Sequence, residues 1–109
     1  MATEARTIAA ILDQTREVTA RKMFGEYALY LDGKVVALVC DDRIFVKPLP
    51  EALALMPEAG LAPPYPGARP HLVADAALDE DGVLQTLLGA VARALPPPKP
   101  KPKRPKAKA

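Results

Sequence analysis

The chain predicts an α+β fold, with helices packed on an antiparallel sheet, and three observations carry that prediction. Residues 18–47, VTARKMFGEYALYLDGKVVALVCDDRIFVK, are the one long run rich in β-branched and aromatic residues. Asp32-Gly33 stands between two apolar stretches of that run. A two-residue hairpin turn needs φ > 0 at both central positions, and Asp-Gly accepts this at least cost. Segments with three- and four-residue apolar spacing then flank the run on both sides. The predicted order is α-β-β-β-β-α-β-α, in two layers with about five strands.

The first helix is predicted from Thr3 to Arg16. Thr3 or Thr7 offers a side-chain cap, and Ile8, Ile11, Leu12 and Thr15 share one face. Val18–Phe24 reads as the first strand, interrupted by Gly25, where a bend or bulge is expected. Glu26–Leu31 and Lys34–Cys40 form the hairpin around Asp32-Gly33. Asp41-Asp42 makes a second turn, and Arg43–Lys47 a fourth strand that Pro48 ends. Pro50–Ala59 is a short helix with proline in its first turn, cut early by Pro57. A loop punctuated by Pro63-Pro64, Pro66-Gly67 and Pro70 runs from Ala62 to Pro70. His71–Ala74 is a short edge strand. Asp79 is the expected cap of a last helix striped by Val83, Leu84, Leu87, Leu88, Val91 and Leu95.

With two regular two-residue turns, alternation sorts the strand residues into two faces. One collects Ala28, Tyr30, Val35, Ala37, Val39, Ile44 and Val46, small and β-branched, suited to receive helices. The other collects Tyr27, Leu29, Leu31, Val36, Leu38 and Phe45, edged by Lys34, Arg43 and Lys47. Neither is polar. Either helices cover both faces, or one is an interaction or dimer surface.

The 109 residues suit one domain, placed at 1–95, and half of them are hydrophobic. Aromatic residues make up only 5%, with no Trp, so aliphatic side chains must fill the core. Residues 96–109, PPPKPKPKRPKAKA, have nothing apolar to bury and are expected to form a disordered, polyproline-like tail. Of fifteen Lys and Arg residues, six lie there: Lys99, Lys101, Lys103, Arg104, Lys106 and Lys108. The nine that remain face thirteen acids, so residues 1–98 carry a formal charge of −4. Such a tail neutralises phosphates without reading bases, giving weak, salt-sensitive nucleic-acid contact; the plain alternative is a solubilising appendage.

Familiar catalytic constellations find little material. The chain has no Ser, one His and one Cys. It has neither a Walker-type loop nor GxGxxG. Cys40, beside Asp41 and Asp42, is a poor nucleophile, because nearby carboxylates disfavour a thiolate. His71 reads as a surface or packing residue. Asp79, Glu80 and Asp81 are better placed to favour a helix N-terminus than to hold a hard cation. No metal or cofactor is expected. The lone cysteine fits a reducing compartment, and no apolar run approaches a membrane span, so a cytoplasmic location is expected.

Residues 21–33, RKMFGEYALYLDG, resemble the TfoX N-terminal domain family, the TfoX/Sxy-like competence regulators. The matching residues are Arg21, Met23-Phe24-Gly25, Tyr27, Tyr30 and Asp32-Gly33, followed by the apolar runs Val35–Val39 and Ile44–Lys47. Glu26-Tyr27-Ala28 departs from the pattern, since many relatives place Gly around the Tyr. The resemblance extends over most of residues 5–95. It implies helices on an antiparallel sheet, similar to secretion-chaperone-like folds. It also implies a part in regulating competence for DNA uptake, with the cyclic-AMP receptor protein at selected promoters. Longer members add a C-terminal domain, where this chain has its Lys/Pro tail.

The expected role is a non-enzymatic interaction domain whose sheet face, with Tyr27, Leu29, Leu38 and Phe45, meets a protein partner or a second copy. The alternative is a small-molecule binder or enzyme, with a pocket between the Ala62–Pro70 loop and the sheet. Arg21, Tyr27, Tyr30 and Arg69 would supply its polar groups.

Overall fold

The computed structural model describes residues 3–23, 25–80 and 82–96; Phe24, Asp81 and the tail beyond residue 96 lie outside them. Its elements are α1 (Ala5–Asp13), β1 (Thr19–Met23), β2 (Glu26–Leu31), β3 (Lys34–Cys40) and β4 (Arg43–Val46). There follow α2 (Pro50–Leu55), β5 (Leu61–Ala62), β6 (His71–Val73), a 3₁₀ turn (Asp75–Asp79) and α3 (Val83–Ala94). The strands form one antiparallel sheet in the order β1-β2-β3-β4-β6-β5. The fold class is therefore α+β as the sequence predicts, with one strand more than expected. That strand is β5, whose two residues carry too little pattern to stand out from the proline-rich loop they open.

Both predicted turns form. Asp32 and Gly33 have φ of 56° and 76°, and Asp41 and Asp42 have φ of 53° and 63°. Leu31 pairs with Lys34, and Cys40 with Arg43, so each turn holds two residues.

The predicted division of faces fails, for one local reason. Leu29 pairs with Ala37 while Tyr30 pairs with Val35, so Val36 is an extra residue in β3. A bulge of this kind reverses the alternation on the far side of it. Val36 and Ala37 consequently both face the core, at 0% and 3% exposure. Beyond the bulge, Ala37 and Val39 join Leu29 rather than Ala28. The register carries this across β4, with Val39 opposite Ile44 and Ala37 opposite Val46.

The helices and the 3₁₀ turn pack on that side. Ile8 and Ile11 of α1, Ala52 of α2, Ala77 of the turn, and Leu84, Leu87, Leu88 and Val91 of α3 close one core with Leu29, Val36, Val39, Ile44, Val46 and Leu72. The stripe expected on the last helix is thus its buried face.

The helix termini are satisfied from a distance rather than locally. At α1 the N-cap is Glu4, without a side-chain bond, and neither Thr3 nor Thr7 caps as predicted. Instead Asp42 Oδ1, 38 residues away, accepts from the Glu4 N–H and the Thr7 hydroxyl, each at 2.8 Å. These two bonds hold the Asp42 carboxyl below its ordinary range against an opposing effect of desolvation, and the Arg6 guanidinium adds a smaller contribution in the same direction as the bonds. The predicted Asp79 cap of α3 is displaced too. Asp79 ends the 3₁₀ turn, and Gly82 takes the N-cap position at φ 83°. At the other end of α3, Lys34 Nζ donates to the carbonyls of Ala92 and Leu95, where a cation is favoured.

Candidate functional site: the open sheet face

All the helices lie on one side, so the other side of the sheet carries no helix. The register assigns to it Arg21, Met23, Glu26, Ala28, Tyr30, Val35, Leu38, Cys40, Arg43, Phe45 and Val73. Ala28, Cys40 and Phe45 are buried there by their neighbours, at 0%, 6% and 4% exposure. Met23 and Val35 stay open, at 41% and 37%.

One loop reaches this face. Tyr65-Pro66-Gly67-Ala68 forms a turn closed by the Ala68 N–H on the Tyr65 carbonyl at 3.1 Å. Proline at its second position presets φ, and Gly67 supplies the φ of 87° that the third position requires. With Pro64 buried beside it, Tyr65 stands over the sheet. It closes a cleft of about 540 Å³ with Met23, Glu26, Tyr27, Leu38 and Cys40.

Glu26 is held in the cleft wall. Its Oε1 lies 2.6 Å from the Thr3 hydroxyl and accepts from the Asp41 N–H at 3.0 Å. Burial raises the Cys40 thiol above its ordinary pKa, and the Glu26 carboxylate raises it further. The reading of Cys40 as a poor nucleophile agrees in direction, but the responsible carboxylate is Glu26, across the strand pair, rather than Asp41 or Asp42. Arg43, on the same face, is tied to Asp75, with Nε 3.1 Å from Oδ2. Asp75 also accepts the Ile44 N–H at 2.8 Å, bracing β4. No sequence pattern singled out Asp75, because its partners lie about 30 residues away.

The structure divides the residues expected to form a partner face. Leu29 is fully buried under the helices, and Tyr27 packs against the same core while also lining the cleft. Leu38 and Phe45 lie on the open face, and Phe45 is too buried to meet a partner directly. Met23, Val35 and Tyr65 are exposed apolar groups of this side that the grouping missed.

The pocket imagined around Arg21, Tyr27, Tyr30 and Arg69 is likewise split. Arg21 and Tyr30 line a separate, more polar cleft of about 420 Å³ with Glu17, Thr19, Ala20, Asp32 and Gly33. Arg69 is exposed in the loop and lines neither cleft; its carbonyl oxygen lies 2.8 Å from His71 Nδ1, at hydrogen-bond distance. Among the described residues no group of three His, Cys, Asp or Glu side chains is arranged to hold a metal ion, and no helix is long and apolar enough to cross a membrane. Phe24 and the tail cations Lys99, Lys101, Lys103, Arg104, Lys106 and Lys108 lie outside the described residues.

Comparison with known proteins agrees with the motif. The family model of the TfoX N-terminal domain matches residues 10–94. An uncharacterized 12.7 kDa protein in the trpE 5′ region of Spirochaeta aurantia is 41% identical over 109 residues, spanning 97% of this chain and 95% of that protein. No solved structure matches.

Proposed function

Because the chain belongs to the TfoX N-terminal domain family, we propose that it is a non-enzymatic interaction domain in transcriptional regulation, acting in the cytoplasm. It contacts a protein partner or a second copy through the open sheet face. The basic tail adds weak, non-specific contact with nucleic acid. The observation that supports this reading is the open face itself. A sheet side without a helix layer, bearing Met23, Val35 and Tyr65 at 41%, 37% and 56% exposure, is apolar surface left to solvent. Such surface marks contact sites when it is contiguous.

Transcript profiling after deletion of the gene tests the proposal. Wild type should restore a defined set of transcripts, and Met23→Asp should fold normally yet fail to restore them. An unchanged transcript profile on deletion would overturn the regulatory role.

The cleft supports a second reading, a small-molecule binder, since about 540 Å³ lies within the range of ligand sites. On that reading Glu26, Tyr27 and Tyr65 replace the polar groups expected from sequence. A saturable rise in melting temperature with one metabolite would favour it.

A further inference from the structure

The cleft and the C-terminal segment are chemically matched, and they belong to the same chain. We propose that the cleft under Tyr65 holds the chain's own basic, proline-rich tail, residues 97–109, with a proline against the Tyr65 ring and a cation beside Glu26.

The lining comes first. Met23 and Leu38 give apolar walls, Tyr65 gives a ring at 56% exposure, and Glu26 gives one carboxylate, with Tyr27 at the margin. Proline-rich segments dock in aromatic-lined grooves, because their φ angles are already fixed and little entropy is lost on binding. Glu26 accepts from Thr3 and Asp41, which fix its position, and a carboxylate retains further acceptor sites for an ammonium. Arg43 does not compete for it, being engaged by Asp75.

The tail answers in sequence. A polyproline helix has three residues per turn, so side chains three apart share a face. Pro97, Pro100 and Lys103 make one face, Pro98, Lys101 and Arg104 the second, and Lys99, Pro102 and Pro105 the third. Every face offers a proline with a cation, so the match does not depend on how the segment is turned. The charges also correspond, with six cations beyond residue 98 and a formal −4 before it.

The distance can be spanned. Lys34 holds the Leu95 carbonyl at the Asp32-Gly33 end of the sheet, while Glu26 and Cys40 mark the opposite end of β2 and β3. Six residues of strand cover roughly 20 Å. The thirteen residues of the tail in polyproline form cover roughly 40 Å, enough to round the sheet edge as well.

The test compares amide spectra of the ¹⁵N-labelled full chain with those of a full chain whose six tail cations are replaced by Gln. Docking predicts shift differences at Met23, Glu26, Leu38, Cys40 and Tyr65 that shrink in about 0.5 M salt and do not vary with protein concentration. Alkylation of Cys40 should be at least about threefold faster in the Gln variant, as expected when an occupant leaves the thiol open. Tyr65→Ala in the full chain should reproduce the cleft shifts of the Gln variant. Differences confined to residues 97–109 would overturn the proposal. Differences that grow with concentration would also overturn it, by assigning the occupant to a second copy. Tail and partner would compete for Met23 and Tyr65. The concentration series separates the two readings: the tail's contact does not vary with protein concentration, whereas a second copy's does.

Discussion

The helix side and the open side of the sheet reach nearly the same burial by different means. Leu29, Val39, Ile44 and Val46 are 0–1% exposed beneath α1 and α3, whereas Phe45 and Cys40 reach 4% and 6% with no helix over them. On the open side gaps remain at Met23, Val35 and the cleft under Tyr65. A side chain between packed layers contributes mainly to stability. One shielded only within its own layer leaves adjacent apolar surface for recognition. The lesson is that burial alone does not identify the structural face; what covers a residue does.

Val39→Asp should break this comparison most completely. The bulge turns Val39 into the core at 0% exposure, where a carboxylate finds no partner. Circular dichroism and amide dispersion should show loss of the cooperative fold, whereas Leu38→Asp on the open side should stay folded. A folded Val39→Asp variant would mean that the bulge does not set the faces.

A truncation on each side measures the difference directly. Leu29→Ala should cost about 2–5 kcal/mol in urea denaturation, for the lost transfer energy and the cavity left behind. Leu38→Ala, half-buried at the cleft, should cost about 1 kcal/mol. Equal losses would mean that both faces are core.

The Asp41-Asp42 turn joins the two sides through α1, and its contribution should depend on pH. The Asp42 carboxyl is held below its ordinary value of 3.8 in the folded chain. Its stabilising effect is therefore present above that value and is lost as pH falls through the lower folded pKa. Asp42→Asn should lower the denaturation midpoint at pH 7, and its deficit relative to wild type should shrink as the pH is taken below about 4. A deficit independent of pH would assign the effect to turn geometry instead of charge.

The smallest effect is expected at the cleft. Glu26→Gln removes the charge that helps to raise the Cys40 thiol, so alkylation at pH 8 should quicken modestly. Burial, the larger cause, stays in place. An unchanged rate would leave burial as the whole cause.

The strand run, both two-residue turns, the stripe of α3 and the TfoX-type motif are all legible in the sequence. Each is set within a few residues, by propensity, by the φ that Asp and Gly tolerate, or by helical periodicity. The sequence therefore determined the class of fold, nearly all of its elements in order, and the family. Only the tertiary structure decided which face of the sheet is core, since Val36 looks like any other strand valine until its partner strand shows it to be unpaired. Only the tertiary structure brought Asp42 to α1, Asp75 to β4, Lys34 to the end of α3 and Tyr65 to the cleft. These contacts join residues 30 to 60 positions apart, and local pattern carries no information about which distant chain segments will meet once the core has closed.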